Sequence, residues 1–210
     1  MAKIKLTKND FKVQKDALKM YQRYLPTLTL KKQQLQAEIR TIEAKANAVR
    51  KEKEDLERGF HSWIAVFGEK EAFPDGVITV SNIRKGMGNI AGVAIPTFAG
   101  ADFSRGDYDL YETPLWVDIA ANHMEKAMSL DLEAEVLDEQ VRLLEAELRS
   151  TSQRVNLFEK VKIPETQENI KKISIYMADQ QVNAVVRSKI SKRKVADRNA
   201  AASESEVYSL

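Results

Sequence analysis

The 210-residue sequence is 43% apolar, 30% charged and only 7% aromatic, and it holds no cysteine. That rules out a disulfide framework, a thiolate metal site and a thiol nucleophile, and the excess of Lys, Glu, Ala, Leu and Gln over aromatics points to long helices rather than a compact aromatic core. The net charge of +2 hides a basic–acidic–basic order: residues 1–60 carry +7, residues 61–150 carry −9 and residues 151–210 carry +4. If the chain folds back on itself, both termini sit at a basic end and the middle at an acidic one.

Seven of the eight glycines and three of the five prolines lie between Gly68 and Pro114, so two long flanks are nearly free of helix breakers. The first flank, residues 1–67, keeps a heptad repeat. One line of positions is Phe11, Leu18, Leu25, Lys32, Ile39, Ala46, Lys53, Phe60 and Phe67. Its partner line is Gln14, Tyr21, Leu28, Leu35, Ile42, Val49, Leu56 and Trp63. Such a span predicts a coiled-coil helix. Pro26 removes one backbone donor and predicts a kink or looser turn, not a helix end.

The segment 68–114 reads as a β-hairpin and loop insert. Val77-Ile78-Thr79-Val80 and Val93-Ala94-Ile95 are β-branched runs separated by Gly86, Gly88, Asn89 and Gly92. Pro96 confines its strand to an edge or an end. Gly100 to Glu112 is polar and acidic, and Thr113-Pro114 suits the start of the next helix.

The second flank, residues 115–196, alternates in steps of four and three from Trp116 through Ala120, His123, Ala127, Leu130, Ala134, Leu137, Val141, Leu144, Leu148, Thr151 and Val155 to Phe158. The stripe then slips by about one residue beside Pro164 and continues as Ile163, Ile170, Ile173, Met177 and Ala184. A slip of this kind changes the local winding. Residues 197–210 carry no stripe and are expected to be frayed or disordered. Neither stripe is stable in water alone, and the cheapest partner for each is the other. The fold class expected is therefore mainly α, a long antiparallel two-helix coiled coil with a small β-hairpin insert at the bend. With equal rise along both helices, facing residues should have numbers adding to roughly 175–185.

Candidate sites are few. Gly86-Met87-Gly88 lacks the helix start and Lys-Ser/Thr of a phosphate loop and reads as a hairpin turn. Asp102, Asp107, Asp109 and Glu112 lack the spacing of a calcium loop. Arg105-Gly106-Asp107 reads as chance. His61 and His123 lie near the helix ends beside the insert and suit a polar pair better than a metal site. Trp63 and Trp116 are core anchors. The clusters Lys31-Lys32, Lys171-Lys172 and Lys189 to Lys194 lack interleaved aromatics, so an acidic protein partner is favoured over nucleic acid. No nucleophile–base–orienter set is present. The expectation is no catalytic residue, no cofactor and no metal. No apolar run approaches the roughly 20 residues of a membrane span, and the opening Met1-Ala2-Lys3-Ile4-Lys5-Leu6 has no apolar signal core, so a cytoplasmic location without membrane insertion is expected.

One run is specific. Arg154-Val155-Asn156-Leu157-Phe158-Glu159-Lys160-Val161-Lys162-Ile163-Pro164 resembles the RVN-x-[LF]-E…IP signature of the D subunits of V-type and archaeal-type rotary ATPases, with Arg154, Val155, Asn156, Phe158, Glu159, Ile163 and Pro164 on the motif. Asn169-Ile170, Ile173, Tyr176 and Asp179 are similar to that family too. So are Lys5-Leu6-Thr7-Lys8, Tyr24-Leu25-Pro26-Thr27-Leu28, Leu30-Lys31-Lys32, Asn89-Ile90-Ala91-Gly92-Val93 and Thr113-Pro114-x-Trp116-Val117-Asp118, the last two in the form of bacterial relatives. The resemblance covers about residues 4–195.

The resemblance implies a non-catalytic central-stalk rotor. It would carry torque between the catalytic A/B hexamer and a membrane ring that moves protons or sodium ions. The free end of the coiled coil would enter the hexamer, the F subunit would lie along the shaft, and the funnel-shaped C/d subunit would meet the insert end. Such a rotor is cytoplasmic and peripheral to the membrane. Met1 to about Thr29 and about Ile170 to Lys194 are expected together as a basic tip, with Lys8, Lys12, Lys15, Arg187, Lys189 and Lys192 facing the stator. A reading of another class is a prefoldin-like coiled-coil chaperone or scaffold, which also sets two antiparallel helices around a β-hairpin.

Overall fold

The computed structural model describes residues 5–60, 78–106 and 116–207. It is mainly helical. In chain order it has α1 (Lys8–Phe60), β1 (Ile78–Ile90), β2 (Val93–Arg105), α2 (Trp116–Leu157), a single π-helical turn (Phe158–Lys162) and α3 (Ile163–Val207). The chain divides into two compact units, Leu28–Gln153 and Met1–Thr27 with Arg154–Leu210.

Helix α1 starts where its sequence offers a cap. The Asp10 N–H donates to the Thr7 Oγ1 at 3.2 Å, and the Phe11 N–H donates to the Thr7 carbonyl at 3.0 Å. The threonine thus satisfies donors that a helix start leaves open. Every seam position from Phe11 to Leu56 is buried or half-buried, including Lys32 and Lys53. Phe60 closes the helix; Trp63 and Phe67 lie outside the described residues. Pro26 sits inside α1 without ending it, in line with its spacing.

In the unit Leu28–Gln153, α1 and α2 are antiparallel neighbours. Leu35, Ile39, Ile42 and Leu144 close a core in which Leu35 and Leu144 are fully buried. Burying such side chains contributes about 1.5–3 kcal/mol each. Polar partners flank the seam: Lys31–Glu147 at 2.6 Å, Arg50–Asp138, Lys53–Asp131 at 2.7 Å and Lys126–Glu52 at 3.5 Å. From Lys31–Glu147 through Arg50–Asp138 to Lys53–Asp131, the α2 number falls as the α1 number rises. Three of these pairs fall inside the expected register, and Arg50–Asp138 lies just beyond it. At the exposed surface such pairs contribute about 0–1 kcal/mol each and fix register more than stability.

Strands β1 and β2 form a two-stranded antiparallel ribbon joined by Ala91 and Gly92, both at positive φ (51° and 83°). That conformation suits a two-residue hairpin turn. The turn is therefore at Ala91-Gly92, and not at Gly86-Met87-Gly88, where the glycine pattern suggests it. Those three residues pair with Thr97, Pro96 and Ile95 within the ladder. Glycine is needed there for room: a Cβ at Gly86 would lie 2.6 Å from the Thr97 Oγ1. Pro96 is tolerated because both strands of a two-stranded ribbon are edges.

The ribbon is longer than the short runs imply, with thirteen residues in each strand. It lies back along α1 and α2. At its open end Arg105 donates to Glu125 at 2.7 Å and to Asn122 at 2.5 Å. At its turn, Ile90, Ala91 and Val93 pack on the α1–α2 core, and Ile95, 2% exposed, is part of that core. Thirteen extended residues span about 40 Å, matching the roughly 35 Å of helix between Glu125 and Leu148.

In the other unit, the Tyr21 and Phe158 rings meet at 5.2 Å between centroids, again inside the expected register. The slip read after Phe158 is a π-helical turn: the Ile163 N–H bonds to the Phe158 carbonyl, five residues back. One extra residue is thereby absorbed, and the seam resumes at Ile163, Thr166, Ile170, Ile173 and Met177. α3 runs on as helix to Val207, past Asp197, where the missing stripe predicts fraying. Ala and Glu in that stretch are strong helix formers even without a packing face.

Candidate interaction surfaces

The two helices of the unit Met1–Thr27 with Arg154–Leu210 are of unequal reach. From the Tyr21–Phe158 contact and equal rise, Lys8 stands about level with residue 171. Helix α1 then gives out while α3 continues. In keeping with this, every α3 residue from Ala178 to Asn199 is exposed. That stretch still carries apolar side chains: Val182, Val185, Val186, Ile190 and Val195 are 47–62% exposed. Val182, Val186 and Ile190 are four residues apart and share one face. A solvated helix is marginal on its own, and an exposed apolar face of this kind marks an interaction surface.

The six cations expected to face a stator are all exposed, but they do not form one cluster. Lys8, Lys12 and Lys15 stand beside the paired part of α3. Arg187, Lys189 and Lys192 lie on the unpaired extension, roughly 25 Å farther along the helix. The Lys15 ammonium lies 5.4 Å from the centre of the Phe11 ring. The Arg187 Nε donates to the Asn183 carbonyl at 3.2 Å, so its guanidinium lies along its own helix. Lys189 and Lys192 share the extension with Arg193 and Lys194, and the nearest carboxylate that follows them in the sequence, Asp197, is a turn beyond.

The signature residues divide by role. Val155 is buried, Phe158 and Ile163 are half-buried, and Arg154, Asn156, Glu159 and Pro164 are not part of the buried core. Phe158 opens the π turn, and Pro164 comes two residues after the turn ends at Lys162. A proline has no N–H for the carbonyl four residues earlier, Lys160, and its ring would press on that oxygen in a regular α-helix. Widening the preceding turn relieves that clash. The motif thus encodes a local change of winding, with its apolar members holding the seam on either side.

In the unit Leu28–Gln153, the polar residue that the periodicity missed is Gln140. It is 6% exposed, and its Nε2 donates to the Pro96 carbonyl at 2.5 Å. On a helical wheel Gln140 falls beside the seam, so only the presence of the ribbon buries it. Val117, Ala121 and Val136 are buried off the seam as well. The Arg105 guanidinium bonds to Glu125 and holds that carboxyl below its ordinary range against a smaller opposing effect of burial. Arg142 does the same to Glu139, and Lys172 to Glu168, both at the open surface. Asp102 pairs with Arg84 at 3.3 Å within the ribbon. His123 is exposed, while His61, Asp107, Asp109 and Glu112 lie outside the described residues. Among the described residues, no group of three His, Asp or Glu side chains is placed to hold a metal ion, and no helix is long and apolar enough to cross a membrane.

Comparison with known proteins adds a family to this geometry. The sequence model of the family described as the D subunit of ATP synthase matches residues 10–193. The D subunit of the V-type ATP synthase of Borreliella burgdorferi is 48% identical over 199 residues, which is 95% of this chain and 98% of the relative. Proteins of the same name from Chlamydia felis and Chlamydia muridarum are each 36% identical, over 94% and 92% of this chain and 96% and 97% of their own lengths.

Proposed function

The chain belongs to the family of ATP synthase D subunits, and from that premise we propose that it is the non-catalytic central-stalk rotor of a V-type ATP synthase. In this reading it carries torque between ATP hydrolysis or synthesis in the A/B hexamer and proton or sodium transport by the membrane ring. It works at the cytoplasmic side, peripheral to the membrane. The F subunit lies along the shaft, and the C/d subunit meets the end that bears the insert.

The observation that carries this reading is the bare stretch of α3 from Ala178 to Asn199, exposed at every position among the described residues. Its apolar face, Val182, Val186 and Ile190, needs a surrounding surface, and the catalytic head supplies one. Lys189 and Lys192 beside that face, with Arg187, make exposed ionic contacts of about 0–1 kcal/mol each. Contacts of that strength suit a part that must leave one neighbour and meet the next. Lys8, Lys12 and Lys15 form a second basic patch along one face of α1, where the shaft is two helices thick.

Two experiments test this. Tagged chain purified from its native host should bring the A, B and F subunits with it; a chain that instead forms a hexamer of itself would establish the prefoldin-like alternative. Replacing Lys8, Lys12, Lys15, Arg187, Lys189 and Lys192 together by Gln should leave ellipticity unchanged and uncouple or weaken the complex. Full coupled ATPase activity in that variant would remove the electrostatic part of the proposal.

A further inference from the structure

Resistance of a helix pair to twisting comes from its hydrogen-bond ladders and from the closeness of its seam. In the unit Met1–Thr27 with Arg154–Leu210, both ladders are broken, and near the same level. On the α3 side, the Ile163 N–H is diverted to the Phe158 carbonyl, so the Glu159 carbonyl loses its usual donor. Pro164 offers no N–H to the Lys160 carbonyl. Thr166, 5% exposed, donates its hydroxyl to the Lys162 carbonyl at 2.6 Å, an arrangement that bends helices. On the α1 side, Pro26 leaves the Gln22 carbonyl without its helical donor. One residue on, the Thr27 hydroxyl donates to the Tyr24 carbonyl at 2.8 Å.

The Tyr21–Phe158 contact places these two interruptions within about two helical turns of each other. The α1 seam is also thin there. Leu18, Tyr21 and Leu25 are only half-buried, whereas Leu35, Ile39, Ile42 and Ala46 are fully buried in the other unit. The sequence itself shows that the break is avoidable. Loss of one residue between Phe158 and Ile163 restores an unbroken three–four spacing from Val155 through Phe158 and Ile163 to Thr166.

We infer that residues 158–166, with residues 22–27 on the partner helix about two turns away along the pair, form a torsionally soft zone in which the shaft winds up under load. This rests on the rotor reading above. The zone yields because twist there disturbs few hydrogen bonds and little buried surface, while the Tyr21–Phe158 rings keep the helices together as it yields.

The test deletes Val161 and replaces Pro164 by Ala (P164A) in the chain assembled into the complete rotary complex. A bead on the rotor then reports the spread of angles during a nucleotide-bound dwell. Since helix deformation concentrates where the ladder is interrupted, the angular variance should fall by about half at an unchanged mean position. In parallel, hydrogen exchange on the unaltered complex should find amides of residues 158–166 exchanging faster than those of residues 140–150. An unchanged variance in a rotating variant, or equal protection of the two stretches, overturns the inference. If the variant does not assemble, the exchange comparison decides alone. Exchange reads local softness whether or not the chain rotates, and co-purification of the A, B and F subunits reads the rotor role whether or not the zone is soft, so the two failures are distinguishable.

Discussion

Truncating Leu144 to Ala tests whether the two seams and the ribbon share one core. Leu144 is fully buried and packs with Leu35, Ile39 and Ile42 of α1 and with Ile95 of the ribbon. The substitution removes three carbon groups, about 2.4 kcal/mol at about 0.8 kcal/mol each. Three elements converge on the site and restrict collapse, so the cavity left behind adds roughly 1–2 kcal/mol more. The expected loss is about 3–4 kcal/mol. Leu157, on the same helix but 44% exposed, is the control, and Leu157→Ala should cost less than about 1 kcal/mol. Urea unfolding followed by ellipticity and by tryptophan fluorescence measures both, with equal slopes needed for the comparison to hold. If Leu144→Ala loses no more than Leu157→Ala, the seams do not close at this level and the packing argument fails.

Gln140→Ala should loosen the ribbon, because it leaves the half-buried Pro96 carbonyl without this side-chain donor. The expected loss is about 1–3 kcal/mol, with faster amide exchange in β2 as the readout. Gly86→Ala should destabilise by about 1–3 kcal/mol through its clash with the Thr97 hydroxyl. Adding Thr97→Ala should recover much of that loss, and strictly additive effects in the double-mutant cycle would contradict the steric account. The Arg105–Glu125 pair predicts an acid-sensitive anchor. The Glu125 pKa is lowered in the folded protein, so its stabilisation is fully present above the ordinary value of 4.5 and is lost as pH falls through the depressed one. A Glu125→Gln variant should be weaker at neutral pH and show a flatter acid limb in a pH series of urea midpoints. An acid limb as steep as that of the unaltered chain would contradict it.

The seams were readable because a heptad repeat needs only spacing. The slip after Phe158 was readable for the same reason, and it took physical form as a π turn beside Pro164. The ribbon was harder to read. Gly86 and Gly88 look like breakers, but they sit in β1 because the Thr97 side chain occupies the space above them. Register shifts between Val80 and Asn82 and between Arg84 and Lys85 interrupt the period of two that marks a strand. Gln140 falls outside the apolar stripe, and its burial depends on a partner far off in sequence. The basic charge of the two terminal segments is legible as composition, but the division of its lysines into two levels depends on where α1 ends relative to α3, which no local pattern records.

That unequal ending has a mechanical consequence. Where α3 goes on alone, the part is one helix across, about 10 Å, instead of two. Drag from a collar acts through the radius of the pin it grips. If the chain is the rotor proposed above, a pin of half the width would let the same frictional force oppose turning with half the leverage, while the thicker pair behind it would keep the breadth needed to be driven.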